Sequence, residues 1–246
     1  MLRFFRTLRQ RLISENKFSK YLFYAIGEIA LVMIGILLAL QVNNWNESKK
    51  NRAEEVQLLA DLNAEFLQNA KSLDSTITSL SDTLGSLTTL MELIGNDSVH
   101  DFKGQKLDRL LIKCLNNPYW DRTEFILKEL ENSGRLSKLT NQNLKTALYQ
   151  WSQLNSSIED KDEDANISYQ SFLNYLKVNG SLRQMDVFGS SRIKRSNLAV
   201  DQSFLLDELT FENVVDDFLV YSEQRLERLQ KAKIIISKII RASDKD

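Results

Sequence analysis

The side chains that could carry chemistry are few, and most stand alone. His100 is the one histidine in the chain, which excludes multi-histidine metal sites, and beside Asp101 it reads as an ordinary surface residue. Cys114 is the one cysteine. It has no intramolecular disulfide partner, and within Leu110-Leu111-Ile112-Lys113-Cys114-Leu115 it fits a buried, small, apolar position. Asp160, Asp162 and Asp164 imitate the opening of a calcium loop. The sixth position is Ala165, where the turn needs Gly, and the twelfth is Ser171, where a bidentate Glu belongs. A solvated acidic face is expected instead. No Gly-x-Ser-x-Gly elbow and no phosphate-cradling glycine loop is present. No catalytic, cofactor-binding or metal-ligating residue is therefore assigned, no cofactor is expected, and the chain reads as a non-enzyme.

Two charged features remain. Glu28 lies within an apolar run, where ionisable groups usually face protein or water. Its neighbours on one helical face are Val32, Gly35 and Ala39, and Gly35-x-x-x-Ala39 is a small-x-x-x-small pair that lets two backbones approach. Gly27, Glu28, Gly35 and Ala39 are the expected intramembrane association face, toward a second copy or another membrane protein. Arg183, Arg192, Lys194 and Arg195 make residues 180–200 a basic loop. That loop is either simply solvated or docks on lipid or an acidic partner.

The element that must position Glu28 is the run from Tyr21 to Leu40. Twenty helical residues span about 30 Å, the thickness of a bilayer's hydrocarbon core. Eleven of them are Leu, Ile, Val or Phe, favouring insertion by about 3 to 7 kcal/mol against a cost of about 3 kcal/mol for one acidic residue. Aromatic residues mark both ends, Tyr21 and Tyr24 before and Trp45 after. Leu38-Ala39-Leu40-Gln41-Val42 offers no small-x-small cleavage site, so an uncleaved signal anchor is expected. Arg3, Arg6, Arg9, Arg11, Lys17 and Lys20 precede the span, while Lys49, Lys50 and Arg52 follow it closely. That bias puts the N-terminus in the cytoplasm and, in a Gram-negative cell, the large domain in the periplasm. Leu2, Phe4, Phe5, Leu8, Leu12 and Ile13 gather opposite Arg3, Arg6 and Arg11, which predicts an interfacial amphipathic helix whose arginines meet anionic lipid.

The segments Glu15-Asn16-Lys17-Phe18-Ser19-Lys20-Tyr21, Tyr24-Ala25-Ile26-Gly27-Glu28-Ile29 and Ile34-Gly35-Ile36-Leu37-Leu38-Ala39-Leu40-Gln41-Val42-Asn43-Asn44-Trp45-Asn46-Glu47 resemble a family of uncharacterised single-pass membrane proteins of the Bacteroidota. Leu130-Glu131-Asn132-Ser133-Gly134-Arg135-Leu136 and the helix from Phe211 to Arg228 resemble the family's short turn and long closing helix more loosely. The resemblance implies topology and bacterial origin. It implies no activity and carries over no functional residue.

Eight Gly and one Pro in 246 residues leave few tight turns, so the fold class is all-α: an N-terminal amphipathic helix, one transmembrane helix and an extramembrane antiparallel helical bundle. The formal charge of −1, with bases scattered among acids, excludes a nucleic-acid stripe. The boundaries read as 1–20 for the basic segment, 21–41 for the span, 42–94 for a helix continuing from it and 95–246 for the rest of the bundle. Ala70, Leu73, Ile77, Leu80, Leu84, Leu87, Met91 and Ile94 form four heptads of seam. Leu59, Leu62 and Phe66 join it through one extra step of four, a stutter. Ser and Thr flank this seam, pointing to packing within the chain, and Gly95-Asn96-Asp97 supplies a stop.

Further helices are expected from Lys106 to Leu115, from an Asp121-Arg122-Thr123-Glu124 box to Gly134, and from a cap at Thr140 or Asn141. The acidic run from Glu159 to Asp164 either rides on that helix or interrupts it. A closing helix from Thr210 is expected to return to the membrane and bring Lys231, Lys233, Lys238 and Arg241 to its surface. Two functional classes follow. One is a membrane-tethered interaction module or scaffold. The other is a ligand-sensing bundle, which with about twenty residues before the span would signal through a partner membrane protein. Its mark would be a pocket of convergent polar groups, whereas a closed apolar bundle marks the scaffold.

Overall fold

The computed structural model describes residues 18–96, 102–190, 192–198 and 200–244, and every regular element among them is helical. The expected amphipathic segment with Arg3, Arg6 and Arg11, and the His100 position, lie outside the described residues. Helix α1 runs Phe18–Leu93. It contains no proline, and it ends where Gly95 takes φ 68°, a left-handed conformation that glycine adopts at no steric cost. The Gly95 N–H donates to Leu206 O at 2.9 Å, so the stop is also a tertiary tie.

Contacts divide the chain into two compact units between Gln57 and Leu58. The first holds a helical stretch long and apolar enough to cross a membrane, with an 18-residue window of mean hydropathy 2.3, none of it buried. Leu31, Leu37 and Leu38 are each more than half exposed. A core helix of a water-soluble fold would bury such side chains, since each buried Leu or Ile contributes about 1.5 to 3 kcal/mol. Trp45 is exposed, with Lys49 Nζ 3.9 Å from its ring centre.

The second unit comprises the remainder of α1 together with α2 (Gln105–Cys114), α3 (Phe125–Asn132), α4 (Gln142–Asn179), α5 (Leu182–Asp186) and α6 (Leu209–Ser243). Short 3-10 turns at Arg135–Lys138 and Gln202–Asp207 join them. Asn141 caps α4 by accepting from Asn143 N and Leu144 N, one of the two caps expected. The helix α4 is continuous through the acidic run, so no calcium loop forms there. No box caps α3: its Glu124 makes no side-chain cap bond. Instead Glu65 of α1 accepts the Ile126 N–H at 2.9 Å, a tertiary cap that a local pattern does not reveal.

Two apolar layers fill the unit. One gathers Leu62, Phe66, Leu73 and Leu80 of α1 with Trp120, Trp151, Leu229 and Ile236. The other gathers Leu87, Leu90, Leu111, Phe172, Phe211 and Phe218. Trp151 meets Phe66 and Trp120 edge-on, at 5.6 and 5.9 Å between ring centres, the geometry that aromatic quadrupoles favour. Asn63 Nδ2 donates to Ile240 O, Lys233 pairs with Asp74 at 2.8 Å, and Gly95 meets Leu206.

The buried line on α1 differs from the expected seam. Leu62, Phe66, Asn69, Leu73, Thr76, Leu80, Thr83, Leu87 and Leu90 are all buried, at alternating steps of four and three with no stutter. Ala70, Ile77 and Met91 are only partly buried. The stripe is turned toward Asn69, Thr76 and Thr83, polar residues that an apolar pattern passes over.

Candidate functional site

What covers those polar residues is a non-helical strap, residues 115–124, started by Asn116-Asn117-Pro118, which cannot continue α2. Along α1, Glu65, Asn69, Ser72, Thr76, Ser79 and Thr83 recur at steps of four and three, so they form one ladder on one face. The strap bonds to four of its rungs, Asn69, Ser72, Ser79 and Thr83. Asn116 Nδ2 donates to Ser79 Oγ at 2.9 Å and Thr83 Oγ1 at 3.1 Å, and Trp120 Nε1 donates to Ser72 Oγ at 3.0 Å. Asn69 Nδ2 donates to Thr123 O at 2.7 Å while Asn69 Oδ1 accepts the Thr123 N–H at 2.9 Å. The strap itself is half-buried to exposed, with only Trp120 fully buried, and these bonds fix a segment that has no regular backbone ladder of its own.

Charge locks the strap from the other side. Arg225 of α6 is 3% exposed; it donates to Asp162 Oδ1 at 2.6 Å, to Asn117 Oδ1 at 3.0 Å and to the Pro118 carbonyl. Arg122, on the strap itself, donates to Asn155 Oδ1 at 2.6 Å and Glu159 Oε1 at 3.0 Å, stands 3.9 Å from Asp162 Oδ2, and lies over the Trp120 ring. Burial raises the Asp162 carboxyl above its ordinary value, although Arg225 and Arg122 both pull it down. The cluster ties the strap to α4 and α6 through Arg122, Asp162 and Arg225, and Asp162 Oδ2 is its one buried acceptor without a hydrogen bond among the described residues. Cys114, also buried, has its thiol pushed up to about 12 by burial, so at neutral pH it is a protonated, inert side chain. Among the described residues no group of acidic, histidine or cysteine side chains could hold a metal.

The sequence profile of a family of unknown function, DUF6090, matches residues 28–191, from Glu28 through the strap and α4. The chain belongs to this family. The matched stretch includes Asn69, Arg122 and Asp162 and stops before Arg225. No curated protein and no solved structure matches the chain.

Of the residues singled out from sequence, Gly27, Glu28, Gly35 and Ala39 lie in the first unit, on α1. Gly27, Gly35 and Ala39 are exposed, and a Cβ at either glycine would meet nothing within 4 Å. The acidic run in this family member is not a uniformly solvated face, because Asp162 turns inward to Arg225. All four bases of residues 180–200 are exposed, and two of them, Arg183 and Arg195, have side-chain partners. Arg195 pairs with the buried Asp108 at 2.7 Å, and Asp108 also accepts from Gln202 Nε2 at 2.6 Å. Arg183 Nε donates to Lys194 O at 2.7 Å. Likewise Lys233 is held by Asp74 and Lys231 by Glu227, which leaves fewer free bases on α6 than its sequence suggests.

Proposed function

We propose that this protein is a membrane-anchored interaction module or scaffold. The segment at 21–41 spans the bacterial inner membrane, the N-terminus is cytoplasmic and an antiparallel helical bundle lies in the periplasm. The observation that carries the reading is the apolar window of α1, hydropathic enough to insert and covered by nothing. The resemblance to Bacteroidota membrane proteins and the surplus of Arg and Lys before the span support the same orientation. Contacts of Asn63 with Ile240, of Asp74 with Lys233 and of Gly95 with Leu206 support opposite directions for α1 and α6. The enclosed interior between helices is filled by two apolar layers and a buried charge clamp, which favours a scaffold over a sensor with its ligand inside the core.

Association runs through Gly27, Glu28, Gly35 and Ala39, with a second copy or another membrane protein as partner. Small residues allow close backbone approach, and ionisable groups within a span usually face protein or water. The test is crosslinking of the full chain in native membranes, followed by mass spectrometry of the captured species. Glu28→Leu and Gly35→Leu are expected to lose a defined crosslinked species. If both variants capture what the unaltered chain captures, the intramembrane face is not the contact.

A further inference from the structure

An open groove of about 550 Å³ lies between α1 and α2 in the second unit. Its two walls are chemically opposite. From α2, Lys106, Arg109 and Lys113 project at steps of three and four, one face of a helix, covering about 10 Å of length. Among the described residues none of the three forms an ion pair. The Arg109 guanidinium rests over the Phe188 ring at 4.5 Å, a contact that steadies it without using its N–H donors.

The α1 wall consists of acceptors. Ser81, Ser86 and Thr89 donate their hydroxyl protons to Ile77 O, Asp82 O and Gly85 O at 2.8, 2.9 and 2.8 Å. Their lone pairs are thereby left to accept, and the Asp82 carboxylate stands among them. Gly85 leaves open space at the centre of this wall, and Leu110 and Phe102 supply apolar lining. A bare inorganic anion would satisfy the cationic wall and meet only acceptors opposite. A neutral sugar would satisfy the acceptors and leave three cations unused. The ligand complementary to both walls carries an anionic group on one side, hydroxyl donors on the other, and C–H surface between.

We infer that this groove binds an anionic carbohydrate, with its phosphate or carboxylate on Lys106, Arg109 and Lys113 and its hydroxyls on Ser81, Asp82, Ser86 and Thr89. The assignment rests on the groove alone and is independent of the membrane face. The same chemistry occurs free and on lipid headgroups, and the experiment separates the two.

Full-length protein in phosphatidylcholine nanodiscs is titrated calorimetrically with glucose 6-phosphate and glucuronic acid, and with inorganic phosphate and glucose as single-feature probes. At least one acidic sugar is expected to bind roughly tenfold tighter than either single-feature probe. Lys106→Ala/Arg109→Ala is expected to weaken it by a similar factor. Gly85→Leu, which keeps a good helix former while filling the groove, is expected to abolish it, and Gly85→Ala to retain it. Competition by phosphatidylinositol in the disc identifies a lipid source, and its absence identifies a soluble one. The inference is overturned by no binding of either acidic sugar, by equal binding of inorganic phosphate, or by unchanged binding in Gly85→Leu.

Discussion

Asp162 and Arg225 show how far a single pair can depart from its local sequence. Removing one partner of a buried pair strands the other charge, at a cost of about 3 to 5 kcal/mol, whereas an apolar pair of similar volume is often tolerated. Arg225→Met is therefore expected to lower stability to urea by about that amount, read from helical circular dichroism of the full chain in detergent. Arg225→Met/Asp162→Leu is expected to recover much of the loss. Equal losses in the single and double variants would remove the clamp from the account. The run Asp160, Asp162, Asp164 reads as a solvated face, and Asp162 departs from that reading: Ile158 four residues before it and Ala165 three after are both fully buried, on the inward side of α4. Its mate was not legible, because Arg225 lies 63 residues away and no local pattern joins the two helices.

At the scale of elements, the strap decides the register of α1. Asn69 is 1% exposed and serves both backbone groups of Thr123, so Asn69→Ala removes two part-buried hydrogen bonds that hold the strap. A loss of about 2 kcal/mol is expected, with a shift in the fluorescence of Trp120, which the same strap carries. The neighbouring exposed Gln68→Ala is expected to stay within about 0.5 kcal/mol. A comparable effect at both positions would mean that the ladder does not hold the strap. Helices were legible from apolar period, scarce proline and the glycine stops at Gly95 and Gly134, where φ is 68° in each case. The rotation of the buried stripe was not, since it is set by hydrogen bonds to a segment with no periodicity, and burial of Asn or Thr is profitable only when that segment is in place. The tertiary cap from Glu65 escaped for the same reason.

For the molecule as a whole, the long apolar helix at the start of α1 is the most legible property, because length and hydropathy act residue by residue and need no tertiary partner. Alkaline phosphatase joined to the C-terminus is expected to be active in a Gram-negative host, as an oxidising periplasm requires, and a green fluorescent protein in its place to be dark. The reverse pattern would invert the proposed orientation. The opposed walls of the α1/α2 groove were the least legible, being made by two segments that approach only in the folded unit. One further consequence concerns the ribosome. Leu229 and Ile236 complete the layer begun at Leu62 and Phe66, and Arg225 closes the strap, so neither can finish until α6 has been synthesised. At roughly 5 to 20 residues per second, that leaves the earlier apolar surface waiting for roughly ten to thirty seconds. Nascent chains of this protein should therefore depend on a holding chaperone throughout that interval, and early termination should send them to proteolysis rather than to a partly working form.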